Sequence, residues 1–197
     1  MSILVDYYRL APAEREKVTH DQATWDPWKS RLIKAQSQAL QDAIAKVNVD
    51  GLSKEQRFAK TGAAIKASRD PRDFNMEKDW HIIAWLLTGD AKIKEEHAPD
   101  APLHNVIFGG LKTNVTTGYG PVRYFDAKLV AETATALVGA DRKVIADRYD
   151  PVAMKKLDIY APPEKDEKEA ILKVIEELTN FFQKAAAAHE DVIKFVW

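Results

Sequence analysis

Asp191-Val192-Ile193-Lys194-Phe195-Val196-Trp197 ends the chain as a run of β-formers, and it directly follows a helix. From Lys165 to Ala188 the sequence carries Ile171, Leu172, Ile175, Leu178, Phe181 and Phe182. Their three- and four-residue spacing predicts one apolar helix face. At the other end, Ile3 to Leu10 is β-rich and stops before Pro12, the pattern of a second terminal strand. Each terminal strand has the other, or a central strand, as its natural partner. Between them the sequence is mostly helical. A short helix opens at Pro12, with Glu14 and Glu16 where the helix dipole favours acids. Asp26-Pro27 predicts the start of a longer one, with Trp28, Leu32, Ala35, Ala39, Leu40, Ala43, Ile44 and Val47 in helical register, ended by Asn48 to Gly51. Ser53, with Gln56 in capping-box position, opens a further helix to about Ser68.

Residues 69–75 read as a loop. Met76 to Thr88 then reads as a helix apolar on nearly every side and stopped by Gly89, which places it in the middle of the domain. Ala91 to Pro102 predicts a surface loop, with Lys94, Glu95, Glu96 and His97 in it, and Asn105 to Phe108 a short buried strand. Asp126 caps a helix from Ala127 to about Val138. Another runs through Tyr149, and Asp150-Pro151 starts a short turn. The charged run from Glu164 to Glu169 is a solvated helix start, and Phe181, Phe182, Phe195 and Trp197 are expected in the core. The fold class is α+β: a single helix-rich domain around a small, mostly antiparallel sheet containing both terminal strands.

The composition narrows the function classes. With 197 residues, 46% of them hydrophobic and 30% charged, the chain suits one well-filled globular core. A net charge of −1 gives no overall attraction to nucleic acid or an anionic membrane. The basic residues read as interleaved with acidic ones, without a local basic patch, so neither nucleic acid nor membrane is expected as a partner. The chain has no cysteine, which removes disulfides, thiolate metal sites and cysteine nucleophiles together. Its N-terminus lacks the charge and apolar run of a secretory signal, and Ile82 to Leu87 is far too short to span a bilayer. These readings predict a soluble, cytoplasmic protein.

Four of the eight glycines, Gly109, Gly110, Gly118 and Gly120, fall within twelve residues, and Pro121-Val122-Arg123-Tyr124-Phe125 follows at once. Glycine is needed where the backbone bends tightly or another group approaches closely, so this segment is the first place to look for a site. It lacks the Gly-Lys-Ser/Thr ending and the Gly-x-Gly-x-x-Gly pattern of phosphate-binding loops. The polar stretch from Thr113 to Thr117 reads as loop. Tyr119, Arg123 and Tyr124 can form a recognition surface, because tyrosine and arginine carry binding energy when a partner buries them and the arginine fork grips carboxylates or phosphates. Equally, Arg123 can be a structural ion pair. Trp80-His81 is the other candidate. His81 can act as a general base or bind metal with Glu77, or it can be a partly buried histidine bonded to a loop carbonyl, with Trp80 as core. No three ligands converge in the sequence, so neither metal nor cofactor is expected. No serine has a nucleophile-elbow setting.

Lys78-Asp79-Trp80-His81, Leu86-Leu87-Thr88-Gly89, Gly109-Gly110, Gly118-Tyr119-Gly120-Pro121-Val122-Arg123-Tyr124 and Ile159-Tyr160 occur in that order. With Tyr7, Tyr8, Arg9, Leu10 and Pro12 at the start, this order resembles the YfbM-like bacterial domains of unknown function. The resemblance covers both ends and everything from Met76 onward. It implies one small α+β domain over 1–197, with a more variable helical insertion at about 26–68, and brings no activity with it. Ala161-Pro162-Pro163 departs from the family's habit of a further aromatic near Ile159-Tyr160.

Three roles remain. In the first, the chain is a non-catalytic protein-binding module, by analogy an inhibitor or immunity-type partner, using Tyr119, Arg123 and Tyr124. In the second, it is an enzyme or small-ligand protein with a cleft between the Trp80-His81 helix and the Gly109–Tyr124 loop, in which Arg123 holds a small anionic ligand. In the third, it is a homodimer built on an apolar stripe of the Trp28–Val47 helix. The favoured reading supposes that the glycine segment and the Trp80-bearing central helix share one external face, used for docking.

Overall fold

A computed structural model describes residues 4–92, 96–163 and 166–196. Ile3, Lys94, Glu95, Glu164, Lys165 and Trp197, which the sequence assigns to strand ends, a surface loop and a helix start, lie outside that range.

Both terminal strands form and pair with each other. Strand β1 (Val5–Leu10) runs antiparallel to β5 (Asp191–Val196), with Val5 opposite Val196 and Leu10 opposite Asp191. The five-stranded sheet has the order β2-β1-β5-β4-β3, and every adjacent pair is antiparallel. Its outer members are β2 (Asp73–Asn75) on one side, and β3 (Leu111–Thr117) beside β4 (Gly120–Phe125) on the other.

Alternation along the strands sends side chains to two faces. Tyr7, Phe125 and Val192 enter the larger core. There they meet α4 (Trp80–Thr88), α5 (Pro102–Ile107), α6 (Ala127–Gly139), α7 (Arg142–Asp147), α8 (Pro151–Lys156) and α9 (Lys168–Ala187). Tyr8, Leu10, Val122, Ile193 and Phe195 face the other way, against α1 (Pro12–Val18) and the start of α2 (Gln22–Ala45). Trp25 anchors this smaller core, with its ring 5.4 Å from Phe195 and 5.2 Å from Trp28. The last layer is α3 (Lys54–Ser68), which lies against α2.

Four expectations are corrected, each for a local reason. Helix α2 begins five residues earlier than Asp26-Pro27 suggests, because Asp21 and Thr24 form a reciprocal capping box and Pro27 is carried inside the helix. The central helix starts at Trp80 and not at Met76. The Met76 N–H donates to the carbonyl of Val5 at 3.2 Å, and Glu77 takes a left-handed φ of 50°, which no helix continues through. Asn105–Ile107 is helix and not strand, with Phe108 as its C-cap: Pro102 sets the first turn, and the Asn105 and Phe108 amides bond to Ala101 and His104, four residues back.

The last correction concerns the two loops at the sheet edges. Residues 73–75 of the first pair with Tyr8 to Asp6. The polar 113–117 stretch belongs to β3, and its irregular register is absorbed where Thr113 Oγ1 donates to the Val122 carbonyl and accepts from the Val115 N–H. The predicted capping box of Ser53 and Gln56 and the left-handed stop at Gly89 both form.

Candidate functional site

The sequence candidates divide between the two faces of the sheet. Trp80 and His81 sit on α4 in the larger core, at 5% and 3% exposure. Their rings stack at 5.1 Å, and the Tyr160 ring stacks on Trp80 at 5.5 Å. Both imidazole nitrogens are bonded. The backbone N–H of Tyr160 donates to Nδ1 at 2.8 Å, so Nε2 carries the proton and donates to the carbonyl of Ala91 at 2.9 Å. His81 therefore ties two loops to the central helix, and its ring does not face solvent.

Gly109 and Gly110 follow α5, where the chain turns into β3. A Cβ on Gly109 would lie 2.6 Å from the Cα of Asn105, and Gly110 has a φ of +95°. Both positions thus need glycine for local geometry. Two buried cations receive the carbonyls this turn exposes. Lys194 from β5 donates to the carbonyls of Ile107 and Gly109, the latter at 2.7 Å, and Arg123 from β4 donates to that of Gly110 at 3.0 Å. These carbonyls lie at the end of α5, where the helix leaves acceptors without intrahelical donors. The glycine segment is a turn fastened by charge-assisted hydrogen bonds.

Tyr124 points to the opposite face. The Arg15 guanidinium lies over its ring at 4.3 Å and also bonds to the buried Asp191 carboxylate at 2.9 Å. Tyr119 occupies the tight turn between β3 and β4 and is part-exposed. The seven sequence candidates accordingly do not meet on one surface. Trp80, His81, Gly109, Gly110 and Arg123 build the interior on one side of the sheet, Tyr124 packs on the other, and Tyr119 is at the hairpin tip.

Among the described residues, two surface clefts are lined by neither His81 nor Arg123. One, of about 540 Å³, is walled by Leu87, Thr88, Asp90, Pro102, Leu103 and Ala136. The second, of about 300 Å³, runs between α2, α3 and β2 and is lined by Ile33, Leu40, Ile65, Ser68, Arg69 and Asp73. Burial pushes the Asp73 carboxyl up to about 6, with Arg69 opposing and Asp70 adding to the shift. Among the described residues no three His, Asp or Glu side chains are grouped as a metal set.

The second cleft lies on a stretch that corrects the expectation of interleaved charge without a local basic patch. No side chain from residue 28 to residue 69 is buried, although this stretch holds most of two helices. Nine lysines and arginines face three acids there, against twenty and twenty-seven in the remainder of the chain. Counting charge segment by segment, and not over the whole chain, reveals it.

Residues 1–195 match the family described as DUF1877, a domain of unknown function. The chain belongs to this family. A solved member of the same fold, titled as a protein of unknown function YfbM from Escherichia coli, is 12% identical to it. That similarity covers 98% of this chain and 99% of YfbM, with a TM-score of 0.58. At such identity it shows a shared architecture and nothing of function. No curated protein matches the sequence. Among the described residues of this DUF1877 chain, no helix is long and apolar enough to cross a membrane.

Proposed function

We propose that this chain is a non-catalytic, cytoplasmic protein-binding module whose docking element is the α2–α3 helical hairpin. The observation that carries the reading is the absence of any buried side chain over residues 28–69. A helical pair that contributes so little to the core is retained for some purpose other than stability. It also exposes apolar groups: Ile33 at 40%, Leu40 at 37%, Ile44 at 44% and Phe58 at 84%. Large side chains grouped on one element and left to water mark interaction sites more often than scattered ones do. The groups first suspected of chemistry, His81 and Arg123, are instead occupied by backbone partners inside the fold.

Site-specific photo-crosslinking in the source cells tests this. A photoreactive phenylalanine analogue at Phe58 should give discrete protein adducts. The same group at Val152, 64% exposed on α8, should not. No adduct at either position, or the same adducts at both, removes the hairpin from any docking role.

A further inference from the structure

The hairpin combines three properties that together specify its partner. The first is charge. Arg31, Lys34, Lys46, Lys54, Arg57, Lys60, Lys66 and Arg69 are all exposed. Among the described residues, the side chains of Arg31, Lys34, Lys46 and Lys54 make no hydrogen bond or ion pair. The second is an apolar stripe: at 100° per residue Ile33, Leu40 and Ile44 fall within about 40° of one another around α2. The third is shape. The stripe borders the groove of about 300 Å³ whose other walls are Ile65 of α3 and the Asp73–Asn75 edge of the sheet.

Resting on the protein-binding reading above, we infer that this groove takes an acidic, amphipathic segment of a partner protein, apolar side chains in the groove and carboxylates against the hairpin cations. Charge complementarity steers such an encounter and fixes its register, while the apolar anchors supply the affinity. A helix laid along a groove is a common solution of this kind, read out at i, i+3, i+4 and i+7. An anionic bilayer fits less well, because the apolar residues line a recess with a polar rim of Ser37, Ser68 and Asn75 instead of a protruding tip. Nucleic acid fits less well too. A phosphate backbone leaves the aliphatic stripe wet and meets Asp73 in the groove.

The test uses the full chain and an 18-residue helical peptide with a leucine stripe and glutamates elsewhere, against a counterpart with lysines replacing the glutamates. The acidic peptide is expected to bind with micromolar affinity that weakens as salt rises, and the lysine peptide at least tenfold more weakly. Leu40→Glu should lower the affinity at least tenfold. Arg69→Glu, at the cation that lines the groove, should lower it several-fold and flatten the salt dependence. Equal binding of both peptides, or no binding of the acidic one, overturns the inference. Tighter binding to phosphatidylserine vesicles or to a DNA duplex overturns it as well. A dimer seen by light scattering and dissolved by Leu40→Glu assigns the groove to a second copy and also overturns it. Crosslinks at Phe58 without acidic-peptide binding refute only the partner chemistry, whereas loss of both refutes the docking hairpin itself.

Discussion

His81 and Asp73 show how position decides what a titratable side chain does. His81 is held at both nitrogens, by the Tyr160 N–H and the Ala91 carbonyl. His81→Phe strands both backbone groups in a buried setting, so a loss of about 2–4 kcal/mol is expected, read from urea unfolding. Asp73 is the opposite case, since its burial works against its own charge. Between the usual 3.8 and about 6 the folded chain holds a proton that the unfolded chain has released. Stability therefore falls as pH rises through that window. Asp73→Asn should remove this slope and stabilise the protein at pH 7 by about 1–2 kcal/mol, after discounting for partial solvent screening. Thermal unfolding of both proteins at pH 4 and pH 7 checks it, and equal pH slopes would contradict the burial argument. Of the sequence candidates, the structural role of His81, bonded to a loop carbonyl, was legible from residue type alone, whereas Arg123 donates to a backbone carbonyl where an ion pair was expected. Choosing between the roles open to each was not, because it depends on backbone groups 10 to 79 residues away that no local pattern encodes.

At the scale of elements, the sheet edges explain most of what local patterns misjudged. β3 is an outer strand with Lys112, Asn114 and Thr116 exposed, and its irregular pairing hides the alternation that marks a strand. Gln22, in the first turn of α2, closes part of this edge. Its amide accepts from the Thr116 N–H at 3.1 Å and donates to the Thr116 carbonyl at 3.2 Å, as a neighbouring strand would. Open edges invite pairing with other chains. Gln22→Ala should cost about 1 kcal/mol and speed hydrogen exchange at the Thr116 amide relative to Val115. Unchanged exchange at Thr116 would show that the amide contact contributes nothing. Where the sequence carries strong signals, as in the Ser53–Gln56 box, the Asp126 cap and the α9 stripe, the elements form where expected. Asn105–Phe108 failed because a short run of three apolar residues, Val106 to Phe108, is compatible with either a strand or a buried helical turn.

Over the whole molecule, stability is unevenly distributed. The sheet and α4 to α9 hold nearly all the buried side chains, while α2 past Trp28 and all of α3 hold none. Native-state hydrogen exchange should therefore report at least two tiers, with amides of residues 30–68 opening at lower free energy than those of β1, β5 and α9. Uniform protection across both would mean that the hairpin is part of the cooperative core. The α+β class and the pairing of the end strands could be read in advance, because β-rich termini and helical periodicity are local. The division into a packed core and a basic appendage shows in the helices only as a shallower apolar face on α2 and α3 than on α9, a contrast that spacing taken helix by helix does not reveal. That same pairing has a consequence for synthesis. β1 lies between β2 and β5, so its second ladder cannot close until residues 191–196 have been made. The inner ladder of the sheet therefore joins segments far apart in the chain, a non-local pairing that slows folding relative to the helical parts.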